Sequence, residues 1–365
     1  MAELKNVLSP ESLEFLEKYL NTSSPTGFEH KGQKVWLEYM KPYIDEYQVD
    51  NYGTVYGVIN PGQDYKVVIE AHADEIAWFV NHVTSDGFIY VIRNGGSDPL
   101  IAPSKRVNIY TRDGKVVKGV FGWPAIHLRH GEESKITPKI DNIFIDIGCS
   151  SKEEVDALGI HVGCVITFED EFMTLNDRYF VGRALDNRMG GYMIAQVARL
   201  LKENNIQLPY SLYVVNSVQE EVGLRGAQMI TETIKPNVAL VTDVGHDTTT
   251  PMISKIKFGE FKAGLGPQLA IAPAVHNKFL DLIFEAAKEN NIPYQPEANF
   301  RSTGTDTDAF AYSNGGVVSA LLTLTLRYMH TTVEMVHKED VESVIKLMYY
   351  TLQKIENNHD FRYFS

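Results

Sequence analysis

The sequence predicts an α/β protein: a mainly parallel mixed sheet with helices on both faces, carrying an inserted small all-β domain. Three observations predict it. Helical and strand-like runs alternate before about residue 75 and again after about residue 172, as a sheet with crossover helices requires. Between Ile76 and Glu171 the runs become short, β-like and punctuated by Gly and Pro. The 365 residues are 44% hydrophobic and 22% charged, ordinary values for a chain with real cores. The expected domains are 1–75 with 172–365, and an inserted, β-barrel-like 76–171.

The elements follow in order. Ser9-Pro10-Glu11 starts a helix with Leu13, Phe15, Leu16, Tyr19 and Leu20 on its inner side. Asn21–Gly27 is a turn cluster, and Phe28–Tyr43 a second helix burying Val35, Trp36, Leu37 and Met40. Strand-like runs at Glu46–Asp50 and Thr54–Asn60 precede Lys66–Ala71, an apolar strand of the kind buried in a parallel sheet. The insertion reads as strands Ile76–Val83, Phe88–Arg93, Val107–Thr111, Val116–Phe121, Asn142–Ile147 and Cys164–Phe168, with one helix, Lys152–Leu158. Beyond it come a helix (Met189–Glu203), a strand (Ser211–Ser217), a helix (Leu224–Ile234) and a strand (Val238–Thr242). Leu269–Ala272, His276–Asn291, Val317–Thr325 and Asp340–Asn357 continue as strand, helix, strand and closing helix.

Charge excludes several function classes. With 34 basic against 47 acidic residues the formal charge is −13, the wrong sign for a nucleic-acid or anionic-membrane partner. Two cysteines, Cys149 and Cys164, are too few for a disulfide framework or a Cys-rich zinc site and are expected reduced and buried. The opening stretch, MAELKNVLSPESLEFLEKYL, carries charge throughout and does not read as a signal peptide; no window reads as a membrane span. The expected location is cytoplasmic.

Ligands of parallel sheets collect at the carboxyl ends of the strands. The residues that follow these strands are His72-Ala73-Asp74-Glu75, Glu220-Glu221, Thr242-Asp243 and Arg327-Tyr328-Met329-His330. Asp186 adds a carboxylate in a polar break before a helix. A lone Asp there is more often a helix cap, a lone His a hydrogen-bonded structural residue, and a Glu-Glu pair a solvated charge. The joint pattern is what counts: two imidazoles and three carboxylates, His72, Asp186, Glu221, Asp243 and His330, suit a pair of borderline cations such as Zn²⁺, Co²⁺ or Mn²⁺. Asp74, two residues from His72, faces the same way in an extended chain and can hold its imidazole in the metal-binding tautomer. Adjacent Glu220 and Glu221 point apart, so that one can bind metal while the other faces water as a general base.

These segments resemble a known family. HADE at 72–75, GRALDNR at 182–188, QEEVGLRGA at 219–227, TDVGH at 242–246, GTDTDAF at 304–310 and RYMHTTVE at 327–334 are similar, in order, to the signatures of the M42 metallo-aminopeptidases, some of whose relatives carry glutamyl aminopeptidase or endoglucanase labels. The resemblance runs nearly end to end. It implies a zinc-peptidase-like fold and removal of N-terminal residues from short peptides. It further implies two divalent ions per subunit, bridged by Asp186, one also held by His72 and Asp243, the other by Glu221 and His330. Glu220 matches the family's general base and Asp74 the carboxylate that orients His72. The β insertion matches a lid or dimerisation domain, in dimers that assemble into a hollow dodecamer. Two departures stand out: Ala77-Trp78 where a Gly is usual, and an extra acid in GTDTDAF, Asp306 or Asp308, expected to touch the substrate side of the pocket. The alternative enzymes are a related dinuclear amidohydrolase, either an N-acyl amino-acid deacylase or a carboxypeptidase. Glycoside hydrolysis is the weakest reading, since it ordinarily uses two carboxylates without metal. A scaffold that has kept a dead peptidase fold is the non-enzyme alternative.

Overall fold

Helix α1 (Pro10–Asn21) begins at its start signal: the Ser9 hydroxyl accepts the Ser12 N–H at 3.2 Å and Pro10 fills the first helical position. The computed structural model describes residues 4–364; the first three residues of the opening stretch, and residue 365, lie outside the described residues. Two units emerge, one within Met1–Asp74, Phe172–Met329 and Val333–Ser365, the other Glu75–Glu171 with His330–Thr332.

In chain order the first unit continues with α2 (His30–Met40), β1 (Glu46–Val49), β2 (Val55–Ile59) and β3 (Lys66–His72). The second unit holds β4 (Ala77–Val83), β5 (Ile89–Asn94), β6 (Arg106–Tyr110), β7 (Val116–Gly122), β8 (Phe144–Asp146), α3 (Lys152–Ala157) and β9 (Val165–Phe168). The chain then returns to the first unit with β10 (Met173–Leu175), β11 (Tyr179–Gly182), α4 (Leu185–Glu203), β12 (Ser211–Ser217), α5 (Arg225–Ile234) and β13 (Val238–His246). It closes with α6 (Lys255–Phe258), β14 (Gln268–Ile271), α7 (Asn277–Glu289), β15 (Gln295–Ala298), α8 (Asp306–Ala311), β16 (Val318–Arg327), β17 (Glu334–His337) and α9 (Lys338–Lys354).

Among the described residues the first unit's sheet has eleven strands, in the order β1-β2-β12-β3-β13-β16-β17-β11-β10, with β14 and β15 joined through β16. Its centre, β12-β3-β13-β16, is parallel; both flanks are antiparallel, so the sheet is mixed. Adjacent residues of β3 show why helices cover both faces. Ala71 meets α4 so closely that a Cβ on Gly190 would lie 2.8 Å from its own, while the Glu70 carboxylate accepts the Ser217 hydroxyl, which also meets Asp306 at the start of α8. Val67, Val68, Ile69, Leu240, Val241 and Leu322 are fully buried, as a sheet covered twice requires.

Helix α4 is buried from Leu185 to Leu201, polar residues included. The guanidinium of Arg188 is wholly enclosed: it donates to the carbonyls of Tyr19, Leu20 and Thr22 at the end of α1, and lies 4.3 Å from the centre of the Tyr19 ring. These bonds supply acceptors for a charge that could not be buried alone.

The second unit is a closed barrel, β4-β5-β8-β7-β6-β9. Ala77 and Trp78, the departure noted above, are buried in it, and Trp78 meets Phe121 and Phe168 edge-on at 5.7 and 6.3 Å. Cys164 is buried in this core, whereas Cys149, expected to be buried, is partly exposed; both are free. Elements absent from the sequence reading are β10, β11, β15, β17, α6 and α8, each of three to six residues and too short to show a period. β13 runs four residues past its expected end, to His246. Among the described residues no helix is long and apolar enough to cross a membrane.

Candidate metal centre

Three neighbouring strands and two turns build the centre. His72 is the last residue of β3 and pairs in register with Ser217, the last of β12; the chain leaving β12 turns at once through Glu220 and Glu221. Asp243 lies inside β13, not beyond it as the sequence suggested. Asp186 stands in a non-helical step at the head of α4 (φ −80°, ψ 109°), and the peptide that follows it is cis.

Nε2 of His72 lies 3.3 Å from Asp186, 3.9 Å from Glu220 and 4.0 Å from Asp243. His72, Asp186 and Asp243 offer ligand atoms all within 4.8 Å of one another, as do His72, Glu220 and Glu221. Oxygens of Asp186 and Glu221 come within the same 4.8 Å.

Electrostatics follows from this crowding. Burial pushes the Asp243 carboxyl well up, against the pull of His72 and with a further push from Asp186. Glu220 is pushed up to about 10, first by burial and then, with His72 opposing, by Asp243 and Asp306. Burial would depress His72, but Asp186, Asp74 and Glu220 outweigh it and hold the imidazole above its usual value. Several buried carboxylates around one imidazole are a poor arrangement for protons and a good one for divalent cations: hard oxygens with one borderline nitrogen. The residues present therefore fit a metal centre.

A layer behind the donors fixes them. Asp74 Oδ1 lies 3.3 Å from Nδ1 of His72 and accepts the Glu220 N–H at 3.0 Å, while Oδ2 accepts the Glu221 N–H at 3.2 Å and the Thr26 hydroxyl at 2.9 Å. One carboxylate thus reaches the imidazole and both backbone amides of the Glu-Glu turn. Glu334, buried on β17, accepts the Asp186 N–H at 3.1 Å, and the Asn187 amide donates to the Thr242 carbonyl at 2.7 Å, tying the head of α4 to β13. Glu29 accepts the N–H groups of Gly27 and Gln219 at 2.7 and 3.2 Å. Reading strand ends could not find Thr26, Glu29 or Glu334. The one signal was position: Glu334 closes the RYMHTTVE segment, and Glu29 lies just past a Pro-Thr-Gly turn.

The remaining expectations are placed as follows. His330 lies three residues past β16, in the left-handed region (φ 60°), within the stretch that belongs to the second unit; a Cβ on Gly96 of that unit would meet its Nδ1 at 2.6 Å. Of the two acids in GTDTDAF, Asp308 accepts the backbone N–H groups of Thr303 and Gly304 at 3.0 Å. Asp306 is buried against Ser217, 2.9 Å from its hydroxyl. Both carboxylates therefore have structural partners inside the first unit.

Known proteins resemble this chain along most of its length. The family model described as M42 glutamyl aminopeptidase matches residues 53–347. The chain is 33% identical to the lysyl aminopeptidase of Pyrococcus furiosus over 346 residues, 94% of this chain and 97% of that one. Its fold superposes on the TET aminopeptidase of the marine sediment archaeon Thaumarchaeota archaeon SCGC AB-539-E09 with a TM-score of 0.90 at 28% identity, covering 95% and 97% of the two chains. The TET1 peptidase of Pyrococcus horikoshii, described as assembling into a tetrahedron or a large octahedral shell, matches with a TM-score of 0.82 at 25% identity over 94% and 100%. With a family model spanning most of its length and a fold shared throughout, the chain belongs to the M42 peptidase family and is a metal-dependent aminopeptidase.

Proposed function

We propose that the centre holds two divalent ions, Zn²⁺, Co²⁺ or Mn²⁺, one by His72 and Asp243, the other by Glu221 and His330, with Asp186 shared between them. The observation that carries this reading is that His72 stands in two groups drawn from segments far apart in sequence, with Asp186 and Asp243 in one and Glu220 and Glu221 in the other, the donor atoms of each group lying within 4.8 Å of one another. Bound there, such ions supply Lewis acidity and make water acidic near neutral pH. The chain's own residues do the rest. Glu220 faces the same space as the donors, takes a proton from the attacking water and delivers it to the leaving amine. Asp74 holds the His72 ring through Nδ1 and the Glu220–Glu221 turn through its amides. The substrates are short peptides, cleaved after the first residue.

Glu220→Gln should cut turnover at least ~100-fold with metal content near wild type, because only the proton acceptor is lost. His72→Ala should lose metal as well. Wild-type turnover in Glu220→Gln would remove the base assignment. A chelator should stop activity and each candidate ion be tried in restoring it. Assaying aminoacyl-anilides against N-acyl amino acids separates this reading from a deacylase. The barrel unit is assigned as the lid or dimerisation module of a homo-oligomer, dimers building a dodecamer, on the precedent of the P. horikoshii peptidase's tetrahedron. The cytoplasm is the expected compartment, and neither nucleic acid nor membrane is a partner, given the net charge of −13.

A further inference from the structure

Glu29 occupies the residue just before α2, where a side chain would ordinarily cap its own helix, yet it makes no such bond. Its backbone carbonyl instead accepts the Gln33 N–H at 2.9 Å, which locks the residue to the first turn of α2. The carboxylate turns away, buried, and spends one oxygen on two amides: Gly27 at 2.7 Å and Gln219 at 3.2 Å. Gln219 is the residue before Glu220, and it sits in the left-handed region (φ 58°, ψ 37°) that non-glycine residues enter reluctantly. Its neighbours Glu220 and Glu221 have their own amides held by Asp74, which Thr26, three residues before Glu29, also grips.

Three successive backbone N–H groups, from Gln219, Glu220 and Glu221, thus end on two carboxylates, and the loop 26–29 touches both. We propose that Glu29 is a positioning residue for the Glu220–Glu221 turn: anchored by α2, it accepts the Gln219 N–H and so sets the direction in which the two glutamates leave β12. This rests on the reading of Glu220 as proton carrier and Glu221 as metal ligand. Burial, helped by the nearby Asp74 charge, pushes the Glu29 carboxyl up to about 8, so near neutral pH it acts chiefly as a neutral acceptor. A glutamine presents the same carbonyl oxygen at the same reach.

The test compares Glu29→Ala, Glu29→Asp and Glu29→Gln with wild type, each loaded with Zn²⁺ or Co²⁺ and assayed on one aminoacyl-anilide. Metal-free protein of each is titrated with the same ion by calorimetry. Glu29→Ala is expected to lower kcat ~10- to 100-fold with KM changed less than about threefold, as a misplaced base does. It is also expected to weaken one of two metal-binding events about tenfold and leave the other, since Glu221 rides on the same turn. Glu29→Gln should restore both. If Glu29→Ala does not fold, Glu29→Asp, too short by one methylene to reach Gln219, is expected to show the same losses. Wild-type kcat and metal binding in the folded Ala or Asp variant would overturn the proposal, as would a Gln variant as impaired as the Ala one. Glu220→Gln, run alongside, separates the failures: if it is inactive while Glu29→Ala is normal, only the Glu29 assignment falls, and if it is active the underlying reading falls.

Discussion

Asp74 shows how much a single buried carboxylate can organise when every neighbour is a donor. Its two oxygens meet an imidazole, two amides and a hydroxyl, and four donors on two oxygens leave no freedom of direction. Glu29 is the second such anchor and carries a pH signature. Its folded-state value of about 8 lies above that of an exposed glutamate, so the native chain holds this proton more tightly than the unfolded chain. The sign follows from proton linkage: between about pH 4.5 and 8 the native state binds more protons, and stability falls as pH rises. Denaturant unfolding of wild type and Glu29→Gln, compared from pH 5 to 8.5, should show wild type losing stability relative to the variant by at most ~1.4 kcal/mol per pH unit. Parallel curves would mean that Glu29 does not titrate in this window. The proposed donors were legible in the sequence because His72, Glu221, Asp243 and His330 stand at or just beyond the ends of apolar runs and Asp186 stands in a polar break before a helix. Glu29 and Glu334 were not, because what makes them matter is a backbone amide brought from 190 and 148 residues away.

At the scale of elements, α5 and the segment leaving β12 pass backbone against backbone near the centre. A Cβ on Gly226 would fall 2.3 Å from the Val218 carbonyl oxygen and 2.5 Å from its nitrogen, and neither atom can step aside. Gly226→Ala is therefore expected to cost about 1–3 kcal/mol of stability, measured by denaturant unfolding, and to lower kcat because the displaced segment leads into Glu220. An alanine variant of wild-type stability would mean that α5 can slide. The glycine was visible in QEEVGLRGA, but its reason was not: sequence periodicity places α5 and β12 separately and says nothing of how near their backbones pass. The same limit explains β11 and β17. Four residues each, they pair in register from Tyr179 opposite His337 to Gly182 opposite Glu334, and so bring Glu334 to the head of α4; neither has the length to declare itself as a strand.

For the molecule as a whole, the alternating elements and the turn-punctuated insertion were enough to foresee a mixed sheet and a small barrel, since both follow from period and punctuation. The order of strands was not, because parallel neighbours such as β3 and β13 are chosen by burial across more than 160 residues. Light scattering coupled to size exclusion is expected to find an assembly larger than a dimer at working concentration. A stable, fully active monomer would remove the enclosed-chamber reading while leaving the chemistry of the centre untouched.

The guanidinium of Arg188 has a practical consequence for anyone who shortens this protein. Three carbonyls at the tail of α1 accept hydrogen bonds from it, two positions along the chain from Asp186. Trimming the amino terminus past Asn21 would take the Tyr19 and Leu20 carbonyls from a buried cation two residues from Asp186, the carboxylate proposed to be shared by the ions, so a truncation chosen as peripheral should fail at the reaction centre. A tag placed ahead of Ser9 leaves that grip intact.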